Sequence, residues 1–91
     1  MKQQLLIKVE FIGSLQRLVN SKNCYVELDD GESLLALMQK LRTMLLQDKE
    51  LPDESSILIM KNGREIGVLQ GLQTVLNDND YVTFIPVSHG G

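Results

Sequence analysis

Apolar residues fall at every second position in the opening segment LLIKVEFIG: Leu5, Ile7, Val9 and Phe11 share one side, with Lys8 and Glu10 on the other. Period-two alternation in β-branched and aromatic residues is the mark of a strand with one buried face. Gly13 ends it, SLQRLVN has the makings of one short helical turn, and the apolar-leaning CYVEL reads as a second strand, so the two pair as a hairpin across an ordered loop. After the Asp29-Asp30-Gly31 turn signal the period changes. Leu34, Leu37, Met38, Leu41, Met44 and Leu45 recur at three- and four-residue spacing, with Lys40, Arg42, Thr43 and Gln47 on the other face. That pattern predicts a helix of about fifteen residues, capped by Ser33 and wide enough in its apolar stripe to cover a sheet. Pro52 and the DESS cluster stop it.

The second half returns to short strands. ILIMK leads into Asn62-Gly63 and a short return, REI, the strongest local signal for a tight hairpin. Gly67 and Gly71 loosen the following segment, and LNDNDYV marks a polar turn. YVTFIPV alternates again, with Val82 and Phe84 as its core pair, and Pro86 ends the ladder because proline has no N–H to donate. The order is strand, strand, helix, strand, short strand, strand. It predicts an α+β domain: a mixed sheet of four to five strands with one main helix packed on one face, for which the β-grasp arrangement is the natural form. Residues 1–85 are expected to form this domain, and residues 86–91 a flexible C-terminal tail.

Composition narrows the function. A chain of 91 residues is one small domain with a single core. The net charge of -3 and only nine basic residues, none in a run, argue against direct binding to nucleic acid, which needs surplus Lys and Arg. No apolar stretch approaches the length of a membrane span or a signal-peptide core, so no membrane contact is expected. The single cysteine, Cys24, cannot form an internal disulfide and fits a cytoplasmic protein; it reads as a packed strand thiol.

Catalytic chemistry has little to work with. One histidine, His89, and one cysteine leave neither a zinc ligand set nor a convincing nucleophile–base pair. The NDND run at Asn77–Asp80 reads as a polar turn, since no glutamate follows at calcium-loop spacing. NGREIG lacks the spacing of a phosphate cradle, so no cofactor is expected to bind. The C-terminal SHGG is different. Chance places Gly-Gly at a chain end about 0.5% of the time, which asks for a reason. Six residues from Pro86 extend about 20 Å, enough to thread another protein's cleft. Glycine without a Cβ passes a narrow channel and leaves the terminal carbonyl open to attack. Such a carboxylate is a substrate feature, and its activation by ATP would belong to a partner enzyme.

This ending, together with ILIMKNG and LNDNDYVTFI, resembles the ubiquitin-like sulfur carriers and small modifiers: the ubiquitin-related modifier and its archaeal small-modifier relatives most of all, then the small subunit of molybdopterin synthase and the thiamine sulfur carrier. The resemblance implies a carrier or modifier that is itself no enzyme. In it Gly91 would be adenylated by an activating enzyme and converted to a thiocarboxylate, for tRNA thiolation, cofactor synthesis or conjugation to target lysines. Ser88, His89 and Gly90 would thread the tail. Implied partners are the adenylating enzyme, which uses ATP, a sulfur donor of rhodanese or cysteine desulfurase type, and a tRNA-thiolating enzyme or the molybdopterin synthase large subunit. The alternatives are a dedicated molybdopterin synthase subunit, against which the His89-containing ending counts, and a non-covalent β-grasp binding module.

Partner docking is expected on the sheet face opposite the helix. If Ile57, Ile59, Val82 and Phe84 face the helix, strand alternation sends Leu58, Met60 and Ile85 outward. Apolar residues on an open sheet face suit a partner surface.

Overall fold

The computed structural model describes residues 3–47, 56–66 and 71–87. Its strands are β1 (Gln4–Phe11), β2 (Asn23–Asp29), β3 (Ile57–Lys61), β4 (Arg64–Glu65) and β5 (Tyr81–Pro86), and its helices α1 (Ser14–Val19) and α2 (Leu34–Leu41). The strands form one five-stranded sheet in the order β2-β1-β5-β3-β4. The β1–β5 pair at its centre is parallel, and the other pairs are antiparallel. This is the mixed sheet with a helix across one face that the element order predicts.

Alternation decides which side chains the helix covers. Leu5, Ile7, Val9 and Phe11 of β1 are buried, as are Val26 and Leu28 of β2, Ile57 and Ile59 of β3, and Val82 and Phe84 of β5. The parallel register sets Val9 beside Val82 and Phe11 beside Phe84, whose rings stack with centroids 5.6 Å apart. Leu15 and Val19 of α1 and Leu34, Leu37 and Leu41 of α2 close over this layer. Burying a side chain of this size contributes about 1.5–3 kcal/mol, so this one layer holds most of the stabilising apolar contact.

The helix departs from the single fifteen-residue span expected of it. After Leu41 the chain widens into a π-helical turn, Arg42–Leu46, closed by Gln47, whose N–H donates to the Arg42 carbonyl at 3.1 Å and whose φ is +52°. A π turn adds a residue to the repeat, so the buried position after Leu41 is Leu46 rather than Met44 or Leu45. Leu46 is 2% exposed and Met44 46%. Leu45 is only partly buried against the core. Ser33 stands at the N-cap in extended conformation but makes no side-chain cap bond. The Leu34 N–H is satisfied by the Thr74 carbonyl instead, at 2.9 Å, which ties the start of α2 to the segment following the 3-10 turn Gly71–Gln73. Pro52 and Gly67, read as breakers, lie outside the described residues.

Candidate functional site: the end of the last strand and the open face of the sheet

β5 is positioned by the turn that precedes it. Asn62 and Gly63 both take positive φ, 51° and 83°, as a two-residue hairpin between β3 and β4 requires. The Asn62 side chain then reaches across to the start of β5. Its Nδ2 donates to Asp80 Oδ1 at 2.8 Å, and its Oδ1 accepts the Tyr81 N–H at 2.8 Å. Asp80 is buried, and its Oδ2 accepts the Asn77 N–H at 2.7 Å with Lys61 Nζ 3.8 Å away. Asp78 Oδ1 accepts the Leu6 N–H at 2.8 Å, while the Asn79 N–H donates to the Leu6 carbonyl at 2.9 Å. The NDND run is thus the polar turn expected of it, its carboxylates spent on fastening the β3–β4 hairpin, β1 and β5 to one another. Among the described residues no cluster of metal-ligating side chains occurs.

At its other end β5 runs to Pro86. Pro86 pairs with Ile57 as the last residue of the strand, as a residue without an N–H should. One sheet-like bond follows it: the Val87 N–H donates to the Ser56 carbonyl at 2.9 Å. Pro86 also rests against Gly13, where an added Cβ would stand 3.4 Å from Pro86 Cγ. Gly13 has φ +58° and ψ -131°, a conformation open essentially to glycine alone. The chain is therefore held against the sheet through Val87. Ser88, His89, Gly90 and Gly91, the residues expected to thread and present the terminal carboxylate, lie outside the described residues.

The three residues expected to face outward do so together. Leu58 lies directly opposite Ile85 in the β3–β5 ladder, and Met60 opposite Thr83; Leu58, Met60 and Ile85 are each half-buried on the face away from α2. The same face carries more than the sequence reading named. Tyr81 and Thr83 continue the outer row of β5, Leu6 and Lys8 that of β1, and Tyr25 that of β2. Leu6 is 40% exposed and Tyr25 58%. Their phase was readable in the alternation of YVTFIP and LLIKVEF, but only the parallel β1–β5 pairing sets the rows side by side. At the centre Lys8 Nζ lies 5.3 Å from the centre of the Tyr81 ring. A hydrogen bond to Glu10 leads the causes that raise the Tyr81 phenol above the usual range, because the carboxylate accepts the phenolic proton and opposes its loss. Cys24 lies on the opposite, core-facing side of β2, half-buried, and burial pushes its thiol up. It is the packed thiol that its context suggested.

A mixed five-stranded sheet grasping a helix, with its last strand leading out beside an open apolar row, is the architecture of ubiquitin-like proteins. The chain belongs to the ubiquitin related modifier family (Urm1), whose sequence model matches residues 6–91. It is 32% identical over 92 residues to small archaeal modifier protein 3 of Haloferax volcanii, the match covering 93% of this chain and 98% of that one. The solution structure of Urm1 from Trypanosoma brucei superposes with a TM-score of 0.75 at 26% identity, covering all of both chains. A putative molybdopterin converting factor subunit 1 from Pyrococcus furiosus shares the fold, with a TM-score of 0.78 at 22% identity over 92% of this chain and 99% of its own. Among the described residues no helix is long and apolar enough to cross a membrane.

Proposed function

We propose that this ubiquitin-like carrier and modifier works through the carboxylate of Gly91. A partner enzyme adenylates it with ATP, the carboxylate oxygen attacking the α-phosphate and releasing pyrophosphate. The persulfide of a sulfur donor then displaces AMP to give an acyl disulfide, from which a thiol, forming a disulfide with the donor's sulfur, releases the thiocarboxylate; alternatively a lysine amine of a target protein displaces AMP to leave an isopeptide bond. The chain supplies no catalytic group to these steps. Its part is to hold Pro86 and Val87 rigidly, so that Ser88, His89 and Gly90 enter the activating enzyme extended. The observation that carries this reading is the continuity of one outer row: Tyr81, Thr83 and Ile85 on β5, flanked by Leu58 and Met60, lie on the strand that immediately precedes, in sequence, the residues ending in Gly-Gly. An enzyme that grips this row has the terminal carboxylate within reach. Of the partners, the activating enzyme follows from family membership; the sulfur donor, the tRNA-thiolating enzyme or synthase subunit, and the target lysines belong to the proposal, as does a cytoplasmic setting.

Incubation with the activating enzyme, ATP and a sulfur donor, read by intact mass, tests the first step. An adenylate or an oxygen-for-sulfur exchange, lost on deleting Gly91, is the expected result. No mass change under conditions that activate another family member would end the proposal. Leu58→Arg and Ile85→Arg should raise KM for the adenylation by about tenfold or more while leaving kcat and the fold unchanged, as expected when central apolar contacts are lost from an interface. Higher-mass conjugates in cells that vanish with Gly91 would separate the modifier role from the carrier role.

A further inference from the structure

The free edge of the sheet at β2 is closed by side chains drawn from outside the strand. Two ladder bonds fix the phase of the β1–β2 pair: the Phe11 N–H donates to the Lys22 carbonyl at 2.9 Å and the Asp30 N–H to the Gln3 carbonyl at 3.0 Å. Antiparallel pairs alternate, so Cys24, Val26 and Leu28 bond to β1, and Asn23, Tyr25, Glu27 and Asp29 turn their backbone groups away from the sheet. Four of these outward groups are occupied. The Ser21 hydroxyl donates to the Asn23 carbonyl at 2.8 Å. The Lys40 ammonium, reaching over from α2, donates to the Glu27 carbonyl. Glu32 takes both groups of Asp29: its carboxylate accepts the Asp29 N–H at 2.7 Å, and its own N–H donates to the Asp29 carbonyl at 3.2 Å. Tyr25 keeps both its N–H and its carbonyl without partners among the described residues.

An unpaired edge is a template for another strand, and the β2 sequence suits a second copy of itself. Antiparallel pairing about Val26 sets Tyr25 against the other copy's Glu27, and Asn23 against its Asp29, so each carboxylate meets a neutral residue. Centring the pair on Glu27 would set two carboxylates face to face. In the Val26-centred pair, Tyr25 and Glu27 exchange N–H and carbonyl bonds twice over. The Glu27 carbonyl that this needs is the one Lys40 occupies, and the outer Asn23–Asp29 pairs need the groups that Glu32 and Ser21 occupy. We infer that β2 is a self-association edge held shut in the free chain by Lys40 and Glu32, and that removing this guard lets two copies join into one continuous sheet.

The full-length double variant Lys40→Met with Glu32→Ala tests this against wild type and Lys40→Arg. Sedimentation at about 0.5 mM, the range in which a small strand–strand contact associates, should give a mass approaching two chains for the double variant and one chain for wild type and Lys40→Arg. Exchange of the outward Tyr25 and Glu27 amides should slow by about tenfold or more only in the double variant. Should that variant lose its native spectrum, Lys40→Met alone, which frees the Glu27 carbonyl that the central Tyr25–Glu27 bonds need, carries the same two readouts. A folded variant that stays monomeric overturns the inference. So does an oligomer whose Tyr25 and Glu27 amides exchange as fast as in wild type, or a wild type already paired through β2.

Discussion

Replacing Asp80 with alanine removes the fastening between the β3–β4 hairpin and the start of β5. Both carboxylate oxygens are used in a buried site, one by Asn62 Nδ2 at 2.8 Å and one by the Asn77 N–H at 2.7 Å. A hydrogen bond to a charged acceptor is worth about 1.5–3 kcal/mol, and a donor left buried without one costs a similar amount. The Lys61 contact at 3.8 Å adds less than about 1 kcal/mol, because it is long and partly exposed. Asn62 can turn part of its amide to water, which recovers some of the loss. The expected destabilisation is therefore about 2–4 kcal/mol, a large share of the roughly 5–15 kcal/mol that holds such a domain together. Urea unfolding followed by circular dichroism should show it, with Tm falling by more than about 10 °C. Asp80→Asn sharpens the test: it keeps the shape but points an NH2 group at one of the two donors, so it should lose about half as much. An Asp80→Ala loss below about 1 kcal/mol, or an Asp80→Asn protein as stable as wild type, would refute the reasoning.

Leu46→Ala should cost about 2–5 kcal/mol in urea unfolding, as for a buried leucine, whereas Met44→Ala should change stability by less than about 0.5 kcal/mol; the reverse order would mean that the helix keeps its regular repeat past Leu41. Gly13→Ala places a Cβ 3.4 Å from Pro86 Cγ at a positive φ, and should cost about 1–3 kcal/mol, with NMR shifts concentrated at Pro86 and Val87. Glu10→Gln should lower the Tyr81 phenol toward its ordinary value by removing the charged acceptor, so that in an ultraviolet titration Tyr81 ionises at lower pH in the variant than in wild type.

Much of the fold was legible because its signals are local. The alternation of LLIKVEF fixes which face of β1 is buried wherever that strand sits, since a one-residue slip would expose the whole set. Asn62-Gly63 specifies its hairpin because few other residues accept two consecutive positive φ values. The outward phase of Leu58, Met60 and Ile85 follows from the same two-residue period. The π turn was not legible, because Met44, Leu45 and Leu46 are all apolar and any of them could continue the stripe. Only the folded chain shows that Leu46 is the one buried in the core. Ser33 likewise reads as a side-chain cap in sequence, yet its helix takes a carbonyl from Thr74, forty residues on.

The sequence by itself determined the strands, the approximate helix and the tight hairpin. Each rests on the chemistry of residues a few positions apart. The tertiary structure decided what those elements do together. Parallel pairing of β1 with β5 puts Leu6, Lys8 and Tyr81 beside Leu58, Met60 and Ile85 and makes one open face of them. Asp80 meets Asn62, and Lys40 meets the Glu27 carbonyl, only once the chain has closed on itself. Hydrogen-bond partners and neighbouring rows depend on the register between distant strands, which the packing of the whole core fixes and no local pattern encodes.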